Sequence, residues 1–282
     1  MNRTLPTAAR SALPEALLAL AALLALAPAP ARAGHWLPFR IAVHDLYENE
    51  TEWSEKASSV YGLRLGVFLS ANRDVYGLSL TAFCDGGLDH ICADDNFAGL
   101  KFGGFSTIAS GNGAGLQLSG FYNGTSLEMR GLQISGFVNS AQFLRGVQIA
   151  AGHCEATTEL HGLQVAAICE CGTHEPGVSE SGGLQLAAIR AACDGAFSGI
   201  QIAPCAEAYE MHGLQIGLVT TAQTLSGVQI GAINHADEMH GLQIGLVTTA
   251  QTLSGVQIGV LNASGTEGAG NFRVLPGLNM GF

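Results

Sequence analysis

Charge is scarce in this chain. Only 12% of its 282 residues are Asp, Glu, Lys or Arg, against about 25% in ordinary soluble domains. The charges are mainly acidic, 23 Asp+Glu against 12 Lys+Arg, for a net charge of −11. That excludes a nucleic-acid partner, because binding phosphates needs a basic surface. Aromatics are few as well, at 7%, so the aromatic girdles usual in membrane barrels are thin. Beyond residue 33 no apolar run approaches the roughly 20 residues that a spanning helix needs. If the mature chain enters a membrane, it enters as strands. Motifs for chemistry are missing too. There is no Gly-x-Ser-x-Gly elbow, no P-loop, no His-Glu-x-x-His and no strand-to-helix dinucleotide fingerprint. The expectation is a protein without enzymatic activity, cofactor or small-molecule substrate.

What the chain does have begins with a targeting segment. Arg3 and Arg10 form a basic start, Ala16–Ala27 is an unbroken apolar run, and Ala31-Arg32-Ala33 reads as a small-residue cleavage site. Residues 1–33 are expected to be a signal peptide, and 34–282 an exported, single all-β repeat domain with repeats from about 58 to 282. Export permits disulfides. Of the seven cysteines, Cys84 and Cys92 flank a longer insert and are the expected pair. The odd count leaves at least one thiol over.

Glycine is abundant, 38 residues, and it is periodic. A Gly-Leu/Val-Gln-Ile unit starts at Gly62, Gly77, Gly99, Gly115, Gly131, Gly146, Gly162, Gly183, Gly199, Gly213, Gly227, Gly241 and Gly255, mostly 14 to 16 residues apart. A weaker copy, Gly277–Phe282, closes the series, and another extended run, Pro38–Val43, precedes it. Within a unit, side chains alternate with period two, which means a strand. Around Gly227, Val228, Ile230 and Ala232 fall on one side, and Gly227, Gln229 and Gly231 on the other. Two glycines per unit exclude a helix. The units at Gly115 and Gly131 carry one extra residue after the fourth position, read as a bulge. Polar stretches such as TTAQTLS are read as containing turns of about four or five residues, too short for a crossover helix.

Two architectures fit. The first is an up-and-down antiparallel β-barrel of about fourteen strands. Its apolar band would face outer-membrane lipid, and Gln133, Gln148, Gln164, Gln215, Gln229, Gln243 and Gln257 would face inward with Gln117, Gln185 and Gln201. Its role would be structural, or passive passage of small solutes. The alternative is a β-solenoid with one repeat per coil, secreted or surface-attached, acting as a binding or adhesion module. There the apolar face would point into a dry core, with Gln and Asn stacked in ladders. Met211–Gly231 recurs unchanged at Met239–Gly259, a 28-residue period spanning two units. Alternating linkers suit a hairpin array and favour the barrel, as does a terminal aromatic, Phe282.

The units GLRLGVF, VYGLSL, GLQLSGFYN, GLQISGFVN and GLQIGLV, closing on LNMGF, resemble the bacterial surface-repeat proteins, a Gram-negative family first described from spirochaete sequences. The resemblance spans about residues 39–282. It implies an envelope location and carries over no catalytic residues. The chain departs from the family in its cysteine content and two long inserts.

One cluster invites a metal. Glu159/His161, Glu210/His212 and Glu238/His240 occupy the same register beside the repeat. Imidazole and carboxylate are ligands for Zn²⁺ or Cu²⁺. The plainer reading is that a repeated turn repeats its polar residues.

Overall fold

The computed structural model describes residues 36–44, 59–70, 72–86, 96–173, 179–265 and 272–281. Residues 1–33, expected to be a signal peptide, and Phe282 lie outside the described residues. The chain divides into two compact units, residues 1–120 and 121–282. Every described element is a strand.

Unit 1 holds β1 (Trp36–His44), β2 (Ser59–Ser70), β3 (Asp74–Thr81), β4 (Cys84–Asp85), β5 (Asn96–Gly103), β6 (Ser106–Ala109) and β7 (Gly113–Ser119). β2 pairs with β1, β3 and β4, β3 with β5, β5 with β7, and β4 with β6, all in parallel. Unit 2 holds β8 (Tyr122–Ser135), β9 (Val138–Ala150), β10 (His153–Cys171), β11 (Glu180–Ile202), β12 (Cys205–Ile216), β13 (Val219–Ile230), β14 (Ile233–Gly265) and β15 (Phe272–Gly281). From β8 to β14 each strand pairs with the next in parallel.

The fold is therefore a β-solenoid, and the barrel expectation is wrong. An up-and-down barrel requires antiparallel neighbours. Here the repeats stack in register, with Gly213 beside Gly227 and Gly227 beside Gly241. The error lay in the linkers. TTAQTLS lies within β13, not in a turn. Each repeat thus supplies two extended segments and two corners, so the chain returns to the end at which it started. The first segment is Gly-Leu-Gln-Ile. The second runs, in one coil, from Val219 to Ser226.

The corner between the second segment and the next first segment needs glycine. Gly213 and Gly227 have φ of 141° and 154°. A Cβ on Gly227 would lie 2.1 Å from the Gly213 carbonyl oxygen. Only a residue without one lets coils stack at this point.

The interior is built from columns, one side chain per coil. The first segment contributes Gln. The second contributes an Asn/Thr/Cys/Ala column, a small column and a Leu/Met column, as in Thr220, Ala222 and Leu225, all at most 5% exposed. Leu225 and Met239 are register partners, and so are Ser226 and His240. The alternating linkers therefore occupy the same end of the coil; the buried exchange, Leu225 for Met239, keeps the volume, while the larger differences such as Ser226 against His240 fall on positions outside the core. The extra residues of the Gly115 and Gly131 units, Ser119 and Ser135, end the strands before a corner. The register irregularities fall elsewhere, between Thr125 and Glu128 and between Ala156 and Glu159.

One pairing is antiparallel, β14 with β15. It covers the last coil's open edge, which would otherwise offer unpaired backbone groups to another chain. The weak final repeat is thus a cap: Asn279 stands where a further Gln would be and donates to Gln257 Oε1 at 2.7 Å.

Candidate functional site

The Gln ladder is the most regular polar feature. Gln133, Gln148, Gln164, Gln185, Gln201, Gln215, Gln229, Gln243 and Gln257 are fully buried. Each uses both amide hydrogens. Gln229 Nε2 donates to Gln215 Oε1 at 2.8 Å and to the His235 carbonyl at 3.3 Å. Gln243 repeats this with Gln229 Oε1 at 2.8 Å and the Thr249 carbonyl at 3.3 Å. From Gln148 onward one bond runs along the stack and the other ties the first segment to the second; Gln133 donates to Thr125 Oγ1 and the Ser140 carbonyl. With donors and acceptor satisfied, the glutamine column is core. The sidedness expected for a solenoid is thereby reversed, because Gln points in while Leu and Ile point out.

The outward positions of the first segment form an apolar surface of unit 2. Ile149, Ile202, Ile230, Ile244 and Ile258 are 36–44% exposed. Leu132, Leu163, Leu214, Val228 and Leu242 are half-buried beside them. At the adjoining corner Leu218, Leu246 and Val260 are still more open, at 59–63%. Phe121 and Phe137 stack there with ring centroids 5.2 Å apart. No first segment between Gly131 and Ile258 contains a charged residue. The opposite wall is polar. Arg190 bridges Glu170 and Glu207, at 2.7 Å each. The Glu207 carboxylate, bonded to its guanidinium, holds Arg190 above its ordinary value. Arg130 and Arg145 share Glu128, whose carboxyl is lowered chiefly by the Arg130 hydrogen bond.

The Glu/His pairs lie on the same polar wall. His212 and His240 are both register neighbours of Ser226, so they sit two rungs, or roughly 10 Å, apart. His161 pairs with Gly182 and His212 with Ser198. Ligands of one ion must lie within about 2 Å of it, and these histidines occupy separate rungs. Two of them stay near their own carboxylates instead, His161 3.7 Å from Glu159 and His212 3.9 Å from Glu210. Glu238 is the register partner of Thr224. Among the described residues no group of three or more His, Cys, Asp or Glu is placed to hold a metal.

Unit 1 contains a cluster that the sequence reading missed. Its first segments place Arg64, Ser79 and Lys101 at the glutamine position. Arg64 and Lys101 are 0% and 1% exposed, and Asp85 on β4 is 0%. Asp85 forms an ion pair with Arg64 and accepts from the Ser79 hydroxyl. Lys101 Nζ is 3.8 Å from the same carboxylate and donates to the Ile108 carbonyl. Arg64 also donates to Ser79 Oγ at 2.7 Å and Asn72 Oδ1 at 3.0 Å. Aligning the units on their glycines reveals three non-glutamine residues at one position. That was the available signal.

The cysteines also sort by column. Cys84 has a free, buried thiol, and Cys92, its expected partner, lies outside the described residues. Cys154 is the register partner of Asn139, and its thiol donates to the Val165 carbonyl. Cys169 donates to the Leu186 carbonyl. Burial pushes these thiols up to about 11 and about 12. Both are core groups standing in for Asn. Cys171 and Cys193 fall in the small column, opposite one another.

Comparison of the chain with family models, curated proteins and solved structures returned no match.

Proposed function

We propose that the protein is an exported solenoid of the bacterial cell surface whose apolar first-segment face binds an apolar protein surface, a non-catalytic binding or adhesion module. The barrel-pore role is withdrawn with the barrel. The exposed Ile column with its corner of Leu and Phe carries the reading. From Gly131 to Gly255 the coils span roughly 38 Å at about 4.8 Å per rung. With two outward side chains per rung, the face covers roughly 400 Å². That is the scale at which an exposed apolar patch on a monomer marks an interaction site. Protein is favoured over lipid as the occupant. The net charge of −11 repels anionic membrane surfaces, and the face lacks the Lys/Arg and Trp of interfacial membrane binders. The resemblance to surface-repeat proteins and the signal-like start support an envelope location.

The test replaces Ile202, Ile230 and Ile258 together by Asp, in cells producing the full chain. The proposal predicts a surface-accessible protein that confers adhesion to a protein-coated surface. The triple variant folds with an unchanged circular dichroism spectrum and adheres several-fold less. Equal adhesion by the variant, or a wholly periplasmic soluble protein, overturns it. Flotation of the purified chain with zwitterionic phospholipid vesicles would assign the face to lipid and also overturn it.

A further inference from the structure

In unit 2 the Leu/Met column has one gap. Where other coils place Leu160 or Phe197, the coil that follows the insert after Gly172 places Ser181, buried at 3%. Its hydroxyl oxygen accepts from the Leu160 backbone N–H at 3.0 Å. Beside this gap, β10 and β11 bring Cys171 and Cys193 into register. Neighbouring strands lie about 4.8 Å apart, within the roughly 4.4–6.8 Å Cα separation of a disulfide. Both side chains are buried, 4% and 2% exposed. Ser181 lies beside both thiols. A cavity of about 310 Å³ reaches the pair from the Cys171 side, lined also by Glu155, Glu170, Arg190 and Asp194.

We infer that Cys171 and Cys193 are a redox site, a dithiol whose substrate class is a disulfide and whose product is a cross-link between successive coils. The Cys171 hydrogen bond holds Cys193 below the ordinary thiol value, and burial holds Cys171 well above it. The two sulfurs act in turn as attacking and resolving thiol. One thiolate, its proton lost to solvent, attacks one sulfur of a donor disulfide that enters through the cavity on the Cys171 side. A mixed disulfide forms and half of the donor leaves as thiolate. The other cysteine then attacks the protein sulfur of the mixed disulfide, its proton passes to the released thiolate, and the second half leaves. The two protein sulfurs lose two electrons, and one donor disulfide is reduced to two thiols. Cys154 and Cys169 are excluded from this role because each is engaged with a backbone carbonyl and held protonated.

The full chain, reduced and refolded, is treated with oxidised glutathione at pH 8, alkylated, and mapped by mass spectrometry. The site predicts loss of two alkylatable thiols and a peptide joining Cys171 to Cys193. It also predicts a rise of several degrees in Tm that dithiothreitol reverses. Cys171→Ala, which fits a column that has Ala156 and Ala208 in the same place, abolishes the cross-link. Ser181→Ala retains both thiols and slows closure several-fold. A Cys154–Cys169 link, or no thiol consumed in the folded chain while the urea-unfolded chain oxidises, overturns the inference.

Discussion

The two units use one backbone plan with two kinds of core. At the third position of the first segment, unit 2 repeats a neutral amide, Gln133 through Gln257, while unit 1 has Arg64, Ser79 and Lys101 gathered at Asp85 and a glutamine only in its last coil, Gln117. An amide carries donors and acceptor together, so identical side chains satisfy one another without end. A cation has donors only. A column of Arg and Lys cannot close on itself and must recruit an acceptor from another segment, here Asp85 of β4 and the Ile108 carbonyl. The ladder is consequently extensible, and unit 2 contains an exact internal copy. The charged core is a single constellation.

The largest expected effect breaks the charged core. Asp85→Asn removes the carboxylate shared by two buried cations, and unfolding free energy in urea should fall by roughly 3–5 kcal/mol. Converting the whole cluster, Arg64→Gln, Lys101→Gln and Asp85→Asn together, should recover that loss, with a net change from near zero to about 1–4 kcal/mol of stabilisation. Failure of the triple variant to exceed the single one would show that the charges are required by something other than their own mutual pairing.

Breaking the amide ladder should cost less. Gln229→Ala leaves Gln215 Oε1 without its axial donor and Gln243 Nε2 without its acceptor, at about 3 kcal/mol including the cavity. Urea denaturation followed by coil-specific hydrogen exchange should place the loss within unit 2.

A smaller effect distinguishes the cysteine-bearing coils. Cys154 and Cys169 ionise at about 11 and about 12 when folded, above the roughly 8.5 of an unfolded thiol. Their neutral form stabilises the fold fully below the unfolded value. That contribution is lost as pH rises from about 8.5 toward the folded values. Tm should therefore decline over this range, and Cys154→Ala with Cys169→Ala should flatten the decline. Ala191 and Ala206 already occupy the same column. The smallest effect is expected for Leu225→Met, under about 1.5 kcal/mol, because Met239 fills the next rung of that column.

Much of the fold was legible from residues alone. Period-two alternation gave strands, the glycine spacing gave the repeat length, and paired glycines excluded helix. The parallel stacking was not legible. TTAQTLS is polar at alternate positions because one of its faces is solvated, and that pattern looks like a turn region unless the coil is already known. The glutamines were read as interior in the barrel and as a stacked ladder in either fold. The apolar side was misassigned for the solenoid, since a dry core is the ordinary expectation and this core is small and amide-bonded. Arg64 and Lys101 were in plain view at the glutamine position, yet charge at a core position reads as an exception until Asp85 is placed beside it.

The sequence by itself determined the local rules of this protein: strand, corner at Gly213 and its equivalents, and one amide per coil. These rest on backbone sterics and on side-chain alternation, both of which are local. Only the tertiary structure decided which face is inside. It also decided that the histidines stand on separate rungs and that Cys171 meets Cys193. Those facts depend on how coil stacks on coil, and residues far apart in sequence become neighbours only when the register between coils is fixed.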